Sequence, residues 1–139
     1  MATFQQLKYL SERRLEAAEI LADNDIHDIA YHDSGYVIEL GLKAVICKTI
    51  SQSVYPDNQS KYRTHHFNTL VSLAGLDKEL ANKKASDRQF MKNWSIATKW
   101  SVGLRYQPGG KDVANITTSY LKAISSDKNG VLPWLKTHW

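Results

Sequence analysis

Apolar residues recur in this chain at helical spacing and nowhere alternate with a period of two for long enough to build a strand. That pattern restricts the fold class more than any other feature, because a period of 3.6 cannot be laid into a pleated sheet. Phe4, Leu7, Leu10, Ala17, Ala18 and Leu21 define a first helix to about Asp23, opened by a capping box of Thr3 with Gln6. Asp25 is placed to cap a second helix, with Asp28 favourable in its first turn, that runs to about Ser51 through a dense apolar stretch from Val37 to Ile50. Pro56 and its polar neighbours make residues 52–63 a loop, and Thr64 can cap a third helix whose apolar residues Phe67, Leu70, Val71 and Ala74 stop at Gly75. After a charged connector, Ser86 with Gln89 forms another capping box. Phe90, Trp94, Ala97, Ser101 and Leu104 then trace one face to about Arg105. Pro108, Gly109 and Gly110 break the chain. Val113, Ile116, Thr117, Tyr120 and Ile124 carry a fifth helix ended by Gly130, and Pro133 opens a last turn with Trp134 and Trp139. The expectation is an all-α fold, an antiparallel up-and-down bundle of four to five helices over residues 1–139 as a single domain.

Composition narrows the class further. The 42% hydrophobic content is too high for a disordered chain, and 139 residues suit one domain with a sizeable core. No run approaches 18 apolar residues and the N-terminus lacks a signal-peptide pattern, so no membrane partner and a cytoplasmic location are expected. The lone cysteine, Cys47, lies in the apolar run of the second helix and is expected to be packed. The net charge of +4 is unevenly spread: residues 1–40 hold eight acids and three bases, and the rest hold fifteen bases and six acids. That asymmetry fits a basic face for an anionic partner, complementary faces for self-association, or a mixed solvated surface.

Several residues stand out against the helical background. His32, Tyr36, Glu39 and Lys43 are spaced four, three and four, so they share a face of the second helix, and Glu39 precedes Lys43 in the favourable orientation for an ion pair. Arg14 interrupts the apolar face of helix one, to snorkel outward or to pair with Glu39. Arg63, His65 and His66 cluster at the start of helix three and are the candidates for phosphate binding or proton transfer. Arg105 and Tyr106 precede the Pro-Gly-Gly break, where an arginine can cap carbonyls or reach an anion. Trp94 and Trp100 point differently and make no stacking platform by themselves. No metal is expected, because the chain has neither an HExxH motif nor paired cysteines, and no cofactor is implied.

The segments RRLEAAEIL, YHDSGYVIELGLKAVI, THHFNTLVSLAG, WSVGLRY and the terminal WL, in that order and over nearly the whole chain, resemble the HEPN superfamily of prokaryotic helical bundles. The resemblance implies a HEPN-like bundle, commonly a homodimer or a hetero-complex with an operon partner protein. It further implies a role in antiviral defence or a toxin–antitoxin pair, with a nucleotide or RNA as ligand. Many HEPN ribonucleases carry an arginine followed by four to six residues and a histidine. None of Arg13, Arg14, Arg63, Arg88 and Arg105 has a histidine at that spacing, so the ribonuclease motif is absent. The chain resembles the non-ribonuclease branch, whose ligand-binding positions match Glu39, Lys43, His66, Arg105 and Tyr106. An effector enzyme using Arg63, His65 and His66 and a purely structural assembly subunit are the alternatives.

Overall fold

The computed structural model describes residues 1–100 and 111–139, and every regular element among them is helical. Helix α1 (Phe4–Asp23) begins with the expected capping box: Gln6 N–H donates to Thr3 Oγ1 at 3.1 Å and Thr3 N–H donates to Gln6 Oε1 at 2.9 Å. One stripe of α1, Leu7, Ser11 and Ala18, is buried against helix α2 (His27–Thr49). Small Ser11 lets the two backbones approach, and its hydroxyl donates to Val37 O at 2.7 Å. Asp25 does not cap α2. It takes a left-handed conformation, φ 60°, in the turn between the helices, and Ile26 stands at the N-cap position without a side-chain bond. Aspartate tolerates that conformation better than most residues.

Helix α2 is central. Thirteen of its 23 residues are buried, and it packs against α1 and against three later helices, so apolar residues surround it rather than forming one stripe. The third helix, α3 (Phe67–Leu73), starts later than Thr64: the chain is extended at His66, which occupies the N-cap position, and Gly75 ends the following turn at φ 70°. The segment expected as a charged connector forms helix α4 (Asp77–Ser86). Only Leu80 is buried there, so the apolar period is invisible, but Asp77 and Glu79 in the first turn and Lys83 and Lys84 in the last complement the helix dipole.

Helix α5 (Arg88–Thr98) is capped by Asp87 rather than Ser86. The Asp87 carboxylate accepts from Phe90 N–H at 2.9 Å and from Asn129 Nδ2 at 2.9 Å, and Lys83 lies 3.3 Å away. One carboxylate therefore ties three elements together, and these hydrogen bonds hold it below its ordinary pKa. Helices α6 (Lys111–Ser125) and α7 (Val131–Lys136) close the core, where Phe90, Trp94 and Trp134 meet with centroids 5.3–6.4 Å apart. The described residues thus hold seven α-helices: the five of the sequence pattern, the unexpected α4, and the last turn as α7. The Ser101–Arg105 end of the fourth expected helix and the Pro-Gly-Gly break lie outside the described residues.

Candidate functional site

The polar face of α2 points into a seam with the segment before α3. Glu39 has only 4% of its side chain exposed and accepts twice on one oxygen: Lys43 Nζ donates at 3.0 Å, and His65 Nδ1 lies at 2.5 Å. An ionised carboxylate accepts only, so Nδ1 is the donor and the imidazole's lone pair is left on Nε2. The His65 ring is 75% exposed, which gives a buried carboxylate holding a solvent-facing imidazole in one tautomer. Lys43 is held from the other side as well, its ammonium 5.2 Å from the centroid of buried Tyr55. Tyr55 donates to Tyr62 O at 2.8 Å. Burial first, and then nearby Cys47 and Glu39, push its phenol well above the ordinary range.

One turn back along the same face lies an aromatic group. Trp100 packs 6.2 Å from His32, 5.6 Å from Tyr36 and 6.3 Å from Phe67, and its indole N–H donates to Tyr31 O at 2.9 Å. Gly35 makes this possible: a Cβ there would lie 2.0 Å from the indole. His32, Tyr36 and Trp100 are each only partly buried. Arg14 crosses from α1, its guanidinium 5.1 Å from the Tyr36 ring, and it pairs with Asp33 at 3.3 Å rather than with Glu39. Phe67 sits two residues beyond His65, so the aromatic group and the carboxylate cluster form one strip, from Arg14 through Tyr36 and Trp100 to His65 and Lys43. His32 Nδ1 is buried and has no hydrogen-bond partner among the described residues.

The residues picked from sequence divide accordingly. Glu39 and Lys43 form the centre. His65 joins them, whereas His66 is the exposed N-cap residue of α3, whose N–H donates to Thr64 Oγ1 at 3.2 Å. With helix three beginning at Phe67, it is His65, the residue before the cap, that reaches back to Glu39. Arg63 is exposed and donates to the carbonyls of Asp57 and Asn58 at 2.8 and 3.0 Å, which fixes the preceding loop. Arg105 and Tyr106 lie outside the described residues. Trp94 is a core residue, and Cys47 is fully buried, where desolvation raises its thiol pKa. Among the described residues there is no cluster of three metal-ligating side chains, and no helix is long and apolar enough to cross a membrane. Sequence reasoning did not find the Trp100 contact. Its trace in the sequence is Gly35, a helix-weakening residue on the same side of α2 as His32, Tyr36 and Glu39.

Comparison of the chain with protein-family models, with curated proteins and with solved structures finds no match.

Proposed function

We propose that this chain is a HEPN-like helical bundle that binds a nucleotide or single-stranded RNA along the polar face of α2, as a module of a prokaryotic defence or toxin–antitoxin system. One observation carries the reading: partly exposed aromatic rings lie along a single strip between Arg14 at one end and the Glu39–Lys43–His65 cluster at the other. Tyr36 and His32, each partly exposed, offer ring surface on which a base stacks, an interaction that contributes about 1–3 kcal/mol per base. Arg14 at one end offers donors to phosphate oxygens, and His65 Nε2 at the other offers an acceptor to a ribose hydroxyl or a base N–H. The HEPN assignment rests on the sequence segments that resemble the family and on the all-helical fold.

Calorimetric titration with nucleotides and a short oligoribonucleotide tests the reading. Arg14→Ala is expected to weaken binding about 10- to 100-fold, the equivalent of one charge-assisted hydrogen bond of about 1.5–3 kcal/mol, and His65→Gln about 2- to 10-fold, the equivalent of a neutral one of about 0.5–1.5 kcal/mol. The Arg14 side chain is substantially exposed, so Arg14→Ala should leave the melting temperature near that of the parent, whereas His65→Gln also removes a donor from buried Glu39 and should lower it. Absence of binding to every nucleotide and RNA tried refutes the proposal.

The Glu39–His65 pair favours a second reading, an effector enzyme in which His65 Nε2 takes a proton from a bound substrate. Without the Arg/His spacing of the ribonucleases, no RNA cleavage is expected. Cleavage abolished in His65→Gln would establish the enzyme instead.

A further inference from the structure

The outward face of α1 carries a second ordered pattern, remote in character from the site on α2. Gln6, Tyr9, Arg13, Glu16, Ile20 and Asp23 follow one another at steps of three and four, the heptad spacing of a helix seam, and all six are exposed. They lie opposite the buried stripe of Leu7, Ser11 and Ala18. Tyr9, 62% exposed, and Ile20, 56% exposed, are the two large apolar side chains of this stripe. Arg13 and Glu16, between them, pair only with each other among the described residues, at 2.9 Å and with both side chains more than half exposed.

The stripe is symmetric under reversal. Turning the helix end for end about a point between Arg14 and Leu15 exchanges Tyr9 with Ile20, Arg13 with Glu16 and Gln6 with Asp23. We infer that this face is an interface between two copies of the chain, in which the α1 helices lie antiparallel about a two-fold axis. Tyr9 then packs on the partner's Ile20 twice, and Arg13 meets the partner's Glu16 twice, as an isologous contact requires. Parallel pairing is disfavoured, because it would set Arg13 on the partner's Arg13 and Glu16 on the partner's Glu16. Glu12, on the acidic edge of the stripe, is already neutralised by Lys136 at 2.5 Å, which removes one source of repulsion between the copies. One helix from each copy covers less than the roughly 1,600 Å² of a standard interface, so the dimer is weak and exchanges with monomer.

Sedimentation of the full chain over a concentration series tests the interface. The parent chain is expected to show a monomer–dimer equilibrium. Arg13→Glu and Glu16→Arg, each alone, should weaken self-association at least about tenfold through two like-charge contacts per dimer. Mixing the two variants should restore a one-to-one heterodimer, since every Arg–Glu contact is then re-formed. Ile20→Lys provides an independent disruption, and circular dichroism should show all three variants folded, as their side chains face solvent. A parent chain that stays monomeric throughout, self-association unchanged in all three variants, or a mixture that does not pair would each overturn the inference. Nucleotide binding on α2 does not enter these readouts, so the two proposals fail separately.

Discussion

Replacing Lys43 by methionine isolates the energetics of the buried carboxylate. In the parent, Glu39 is 4% exposed and its charge is held by two donors, Lys43 at 3.0 Å and His65 at 2.5 Å. Were the pair an ordinary surface i,i+4 contact, its loss would cost only about 0.2–0.5 kcal/mol. Stranding a buried charge altogether costs roughly 3–5 kcal/mol. Lys43→Met lies between, because the exposed His65 remains: one charged hydrogen bond is lost, and a cost of about 2–3 kcal/mol is expected. Methionine keeps most of the aliphatic stem but loses the ammonium that lies 5.2 Å from the Tyr55 centroid, so that cation–π contact is part of the cost. Adding Glu39→Leu should return the protein to within about 1 kcal/mol of the parent, since removing both charges of a buried pair is often neutral. Urea unfolding followed by tryptophan fluorescence measures all three proteins, with unchanged slope as the control for two-state behaviour. A loss under about 0.5 kcal/mol for Lys43→Met, or a double variant less stable than the single, would refute the reasoning.

Gly35→Ala should be severe for so small a change, because its Cβ falls 2.0 Å from the Trp100 indole. The ring must leave its slot, with a loss of roughly 1–3 kcal/mol and a red-shifted fluorescence maximum. Asp87→Asn tests the pin between α4, α5 and Asn129. The Asp87 pKa is lowered in the fold, so its contribution is present above the ordinary value of 3.8 and is lost as pH falls below it. Melting temperature between neutral pH and pH 3 should therefore fall more steeply in the parent than in the variant, and identical slopes would contradict the assignment. Cys47 is fully buried with a raised thiol pKa, so a thiol reagent should label it at the rate of unfolding, and fast labelling of the native protein would show that it is accessible.

Strong apolar periodicity carried most of the secondary structure in the sequence. The Thr3–Gln6 capping box and the dense run from Val37 to Ile50 appear in the fold as read. Where a helix is held by charge rather than by an apolar stripe the pattern fails, as in α4, which buries Leu80 alone. Helix starts were misplaced for a related reason. Asp25, Thr64 and Ser86 are all good cap residues by type, but the observed caps fall one or two residues later, at Ile26, His66 and Asp87, where tertiary contacts set the chain direction. Two residues of helix-start error decide which of two adjacent histidines faces Glu39. The face shared by His32, Tyr36, Glu39 and Lys43 was readable because it depends on spacing within one helix. Its long-range partners were not: Trp100 lies more than sixty positions from Tyr31 in sequence, and Arg14 chose Asp33 over Glu39.

The central claim is that the strip along α2 receives a nucleotide or RNA, and an amide and imidazole NMR titration with a short single-stranded RNA tests it most directly. The account predicts saturable shifts confined to Arg14, residues 32–43, residues 63–67 and Trp100, with the His65 ring nitrogens among the most perturbed and the effect weakening with added salt. Shifts that map elsewhere on the bundle, or a spectrum unchanged at saturating RNA, would contradict it.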